Sequence, residues 1–139
     1  EVGEPYSYED SDWLKTDMAL PGWQEYRRRV MDARQPSVDL RHRINAVYNS
    51  RIPSRLWLPS EFQLWRFNLR VPRKRRVLQA IFAAGLFASS HYASLDGIMA
   101  GGNGRYARDL ADQVINLFND QHYNLEKAER TAEIVLGSI

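Results

Sequence analysis

The sequence predicts an all-α protein, a bundle of about five to six helices with an extended N-terminal arm. Three observations predict it. Apolar residues recur at three- and four-residue spacing along most of the 139 residues. Pro, Gly, Ser and Asn fall where helices start and stop. No window alternates convincingly at period two. The length suits one structural domain that buries roughly two thirds of its unfolded surface.

Residues 1–20 are acidic and aromatic without helical period. They read as an arm that docks on a neighbour through Tyr6, Tyr8 and Trp13. Glu1 in place of Met leads us to expect that an N-terminal piece was removed or is disordered. Pro21-Gly22 then punctuates the chain. In "WQEYRRRVMDAR" Trp23, Tyr26 and Val30 share one helical side, while Arg27 and Arg34 lie seven apart on another. Pro36 suits the first position of a second helix, "PSVDLRHRINAVYNS". Its apolar stripe is Leu40, Ile44, Val47 and Tyr48, with Arg41 and Arg43 off it.

Pro53 and Pro59 bracket a loop holding Arg55 and Trp57, with Arg51 just ahead of it. Ser60 and Gln63 have capping-box spacing, so a short third helix is expected there. In it Phe62, Trp65 and Leu69 form the apolar line, and Arg66 and Arg70 share a separate face. Pro72 opens the next helix, with Arg73, Lys74, Arg75 and Arg76 in its first turn. Residues 77–95 carry no charge. Gln79, Ser89, Ser90, His91 and Ser94 make them too polar to span a membrane, so a buried helix ending near Gly101-Gly102 is expected. Asn103 would cap a helix over "GRYARDLADQVINLFND", striped by Tyr106, Leu110, Val114 and Leu117. Asn124 caps a last helix, "LEKAERTAEIVLG", ended by Gly137. The chain thus divides into the arm (1–20), Arg-rich helices (21–76) and a helical core for subunit packing (77–139).

The net charge of +2 hides a strong segregation. Residues 1–20 carry one Lys against six acids, residues 21–76 fourteen basic groups against four acids, and residues 77–139 four against seven. Asymmetry of this size points to a polyanionic partner. Sixteen of the nineteen basic residues are Arg, whose fork binds phosphate oxygens in pairs. Cations at a helix N-terminus oppose the helix dipole, so an anion is expected at residues 73–76.

Catalytic and cofactor sites are not expected. Cysteine is absent, which excludes disulfides and thiolate metal sites. His42, His91 and His122 occur singly, without ligand spacing. "GGNG" at 101–104 lacks the Lys-Ser/Thr of a phosphate loop. The arginines spread over several elements instead of one recognition helix, which suits backbone contact over base readout.

With those features the sequence resembles the major capsid proteins of filamentous and rod-shaped archaeal viruses, of the lipothrixvirus and rudivirus type. The resemblance lies in an arm leading into "GWQEYRRRVMDARQPSV", the glycine-punctuated "GIMAGGNGRYARDLADQVINLFND", and a closing helix ending "AEIVLGS". It covers about residues 15–139 in element order. It implies a virion coat protein that packs beside its neighbours in a helical filament around linear double-stranded DNA held in A form. The building block would be a homodimer or a heterodimer with a paralogous capsid protein. Carried over, the DNA-lining residues are Arg27, Arg28, Arg34, Arg41, Arg43, Arg51, Arg55, Arg66, Arg70, Arg73, Lys74, Arg75 and Arg76. The A-form major groove admits no side-chain reading, which fits arginines that bind only phosphate. An alternative is a small helical subunit of a ribonucleoprotein that binds RNA.

Overall fold

A computed structural model describes residues 19–63, 65–90, 94 and 104–139. Among them are four α-helices and a three-stranded antiparallel sheet, so the fold is mixed α/β and not the expected all-α bundle. The order is α1 (Trp23–Arg51), β1 (Phe67–Arg70), α2 (Lys74–Ala83), β2 (Ala88–Ser89), α3 (Arg105–Ala111), β3 (Val114–Leu117) and α4 (Leu125–Ser138). Two compact units are defined, residues 1–33 and 34–139. Residues 1–18 of the arm with its aromatic residues, together with His91, Gly101, Gly102 and Asn103, lie outside the described residues.

Two expected helices merge in α1, which continues through Pro36 instead of restarting there. Proline inside a helix forfeits one backbone hydrogen bond. Here the loss falls on an exposed stretch, where water can satisfy the freed carbonyl, and the Gln35 amide donates to Asp39 across the proline at 2.8 Å. In the first unit, Trp23 stacks with Tyr26 at 6.1 Å between centroids. Glu25 accepts hydrogen bonds from Arg28 and Arg29 there. In the second unit, Ile44 and Tyr48 bring α1 into the core.

The expected third helix is replaced by a single 3-10 turn at Ser60–Phe62 and then β1. Gln63 closes no capping box. Its side chain accepts from the Asn68 amide at 2.6 Å and donates to the Asn68 carbonyl at 3.1 Å and the Leu58 carbonyl at 2.8 Å. One amide group thus occupies part of the outer edge of β1, which an unpaired strand would leave open. Phe67 and Leu69 face the core, whereas Asn68 and Arg70 alternate outward.

A second correction concerns residues 105–120. The helix stops at Ala111, and Val114–Leu117 forms the central strand of the sheet, in the order β1-β3-β2. Phe67 pairs with Leu117 and Arg70 with Val114, while Ala88 pairs with Leu117 on the other edge. Asp112 and Gln113 tighten the helix end by donating to the Arg108 and Leu110 carbonyls, and Gln113 accepts from the Val71 amide at 2.9 Å. Beyond this point β-branched Val114 and Ile115 suit a strand. Strands of two and four residues offer too few alternations to stand out from a helical spacing.

The long uncharged helix over 77–95 is also overturned. α2 ends at Ala83, and the chain reverses through Gly85 at φ 70°. The Leu86 amide donates back to the Ile81 carbonyl and the Gly85 amide to the Phe82 carbonyl, the two bonds of a Schellman cap. No helix among the described residues is long and apolar enough to cross a membrane. α4 starts as expected, with the Asn124 side chain accepting from the Lys127 amide at 2.8 Å, but it runs through Gly137 to Ser138 instead of ending at that glycine. Its small residues Ala128 and Ala132 face the core, and α4 packs on α2.

A Cβ at residue 85 would meet no atom within 4 Å, so the cost of Gly85→Ala is that of the left-handed backbone alone. We expect a loss of about 1–2 kcal/mol by chemical denaturation, with the folded spectrum unchanged.

Candidate nucleic-acid interface

The structure sorts the thirteen expected DNA-lining residues by what each guanidinium or ammonium group already holds. Arg66, placed beside Arg70 by the helical reading, precedes β1 and is buried. It donates to Asp120 at 2.7 Å and lies over the Phe118 ring at 3.9 Å. Its Nε is buried without an acceptor. Arg41 donates to the Trp65 carbonyl and to Asn119 Oδ1 at 3.0 Å. Asn119, fully buried, donates on to Asn45 at 2.9 Å. Three residues further along α1 than Asn45, Tyr48 Oη donates to the Phe118 carbonyl at 2.7 Å. Burial pushes that phenol well above the usual tyrosine range. These groups clamp α1 to the end of β3.

Other cations are held at the surface. Arg28 pairs with Glu25 and Asp32, and Arg51 with Glu129 at 3.0 Å and Glu133 at 3.4 Å. The Arg28 and Arg29 hydrogen bonds hold the Glu25 carboxyl below its ordinary value. Arg70 Nε donates to Gln113 Oε1 at 2.7 Å.

Arg27, Arg34, Arg43, Arg55, Arg73, Arg75 and Arg76 make no ion pair or side-chain hydrogen bond to a described residue. They do not all converge. Arg34 and Arg43 are nine residues apart on one helix, which puts them on opposite sides of it. Arg55 stands on the 3-10 turn after α1. Arg27 belongs to the first unit.

What the fold does bring together is a basic corner at the start of α2. β1 delivers Arg70, Pro72 turns the chain, and Arg73, Lys74, Arg75 and Arg76 follow at once. An open depression of about 630 Å³ is lined by Pro72, Arg73, Lys74, Arg75, Arg76 and Asp112. α2 starts with no acidic side chain in its first turn and no side-chain cap from Arg73. The first-turn amides and the helix dipole therefore add positive potential to the four cations. Lys74 Nζ donates to the Ala111 carbonyl. Burial lowers its pKa, and the nearby Asp112 carboxylate opposes that effect.

Among the described residues no three or more His, Cys, Asp or Glu are placed to share a metal ion. No protein-family model matches the chain, and no curated protein matches it. Sequence reasoning located the basic corner from Pro72 and the charge run. It missed the acceptors Asp120, Asn119 and Gln113, which come from a segment expected to be helical.

Removing one partner of the Arg66–Asp120 pair leaves a buried charge uncompensated. Asp120→Ala should cost roughly 3–5 kcal/mol in a urea titration. Arg66→Ala should also damage folding, whereas Arg70→Ala at the exposed strand end should cost little.

Proposed function

We propose that this protein is a structural, non-enzymatic nucleic-acid binder. It holds backbone phosphates without reading sequence and packs beside other copies as a coat on duplex DNA. The observation that carries the binding step is the basic corner, where Arg73, Arg75 and Arg76 have no internal partner. The cluster sits at the helix end that repels cations, an arrangement favourable only when an anion arrives. Planar guanidinium forks match phosphate oxygens, and an exposed corner without a groove-reading helix gives no access to base edges.

Exposed apolar surface supports the packing step. On the first turns of α1, Trp23 is 73% exposed and Tyr26, Val30 and Met31 are about half exposed. A stripe of this kind is suited to burial against neighbouring protein. The helical spacing of the sequence predicted an all-α bundle, and the mixed α/β fold differs from it. The coat reading therefore rests on charge segregation and exposed apolar surface.

Three to four phosphates held at the corner should give a log–log salt dependence with a slope of about −3 on duplex DNA. Arg75→Ala with Arg76→Ala should reduce that slope by about 1.8 and weaken all duplex sequences alike, with circular dichroism unchanged. A salt-independent response would overturn phosphate binding. Negative-stain images of protein with long duplex DNA should show regular filaments, and discrete particles would overturn the coat.

A further inference from the structure

We propose that the outer face of α2 is a track for an unpaired nucleic-acid strand, with phosphates at its start and bases stacked at its end. This rests on the phosphate reading of the basic corner and adds a second class of strand, unpaired, that the same site takes besides duplex. On α2 the inward positions are Val77 and Ile81. The exposed ones are Arg75, Arg76, Gln79, Phe82 and Ala83. Steps of three and four place Arg75, Gln79 and Phe82 along one line. A guanidinium group, an amide and a ring thus follow one another over about 10 Å of helix, with Arg76 beside the first. That length matches roughly three nucleotides at about 3.4 Å per stacked step.

The aromatic end is not a single exposed ring. Phe82 and Phe87 are 48% and 50% exposed, with centroids 5.5 Å apart. Phe87 meets Phe118 edge to face at 5.0 Å, and Phe118 is backed by the Arg66 guanidinium at 3.9 Å. The sheet register explains this row, because Ala88 and Phe67 both pair with Leu117, which sets Phe87 and Arg66 on either side of Phe118. Beside Phe87 a depression of about 260 Å³ opens, floored by Phe118 and Tyr123 and rimmed by Lys127. Lys127 Nζ stands 5.9 Å from the Tyr123 ring centre. Gly85 adjoins it with no atom within 4 Å of a would-be Cβ, leaving that approach open.

An exposed aromatic row would ordinarily be a surface for other protein. Its continuity with three unpaired arginines favours a polyanion that carries flat rings. A duplex reaches only the phosphate end, because its bases are already stacked on each other. An unpaired strand reaches both ends, and each base–aromatic contact adds affinity without demanding a sequence.

Fluorescence anisotropy with a thymidine oligonucleotide and a duplex of equal length, at one salt concentration, separates the two modes. Phe82→Ala and Phe87→Ala should each weaken single-strand binding by about 5- to 100-fold and leave duplex binding within about two-fold. Phe82→Trp should retain single-strand affinity and show fluorescence quenching by the single strand but not by the duplex, a readout that stands even if an alanine variant loosens the fold. Equal losses for both nucleic acids, no loss for either, or quenching by neither strand would overturn the track. The Arg75→Ala, Arg76→Ala variant should bind both more weakly. Retention of the track's Phe dependence is impossible without phosphate binding, so wild-type protein that binds neither oligonucleotide would overturn the phosphate reading itself.

Discussion

β3 is paired on both edges, and the residues at its two ends decide where the arginines can go. Gln113, just before it, accepts from Arg70; Asn119 and Asp120, just after it, accept from Arg41 and Arg66. Four residues of strand thus set the positions of three guanidinium groups drawn from α1, the approach to β1 and the end of β1. What positive charge remains free is what neither the strand's ends nor the helix carboxylates took up. The basic corner is the largest local remainder, and it lies where β1 hands the chain to α2.

A helix beginning with four cations and no acidic side chain runs against the usual preference for negative charge at that end. Each exposed cation costs a few tenths of a kcal/mol there, which a domain with roughly 5–15 kcal/mol of stability tolerates. Local arrangements that oppose folding preference while the rest of the chain agrees with it tend to mark functional sites. α4 supplies the contrast within the same molecule. It has an Asn cap, Glu126 in its first turn and a buried face of small residues, with nothing left for a ligand to improve.

Much of the helical content was legible because its signals are local. Pro72 with the charge run marked the start of α2, and Asn124 marked α4. The sheet was not legible. β1 alternates over only four residues, and β3 is buried on three of its four, so neither gives a period-two signal long enough to override a helical spacing. Val114 and Leu117 sit three apart, which a strand and a helix can both satisfy over so short a stretch. Gln63 had the spacing of a helix cap but spends its amide on the backbone of Asn68, a contact across five residues that only the folded loop creates. The corner was therefore found from sequence, while the loss of Arg41 and Arg66 to internal partners was not, because those partners come from the unseen strand.

Internal partners do not all remove a guanidinium from service to the same extent. The Arg28 and Arg51 pairs are exposed on both sides, with Arg51 40% and Glu133 64% accessible. Exposed pairs are weak and screened by salt, so a phosphate could replace the carboxylate at little cost. Arg66 and Arg41 differ in kind. Pulling Arg66 outward would strand Asp120, which is 15% accessible, and pulling Arg41 outward would strand the fully buried Asn119. Availability to a polyanion is thus graded by exchange cost, from the free arginines of the corner, through the exposed pairs, to two buried clamps, Arg41 between α1 and the end of β3 and Arg66 between the approach to β1 and that same end. A run of arginines in a sequence overstates the binding surface by the number of buried acceptors the fold supplies.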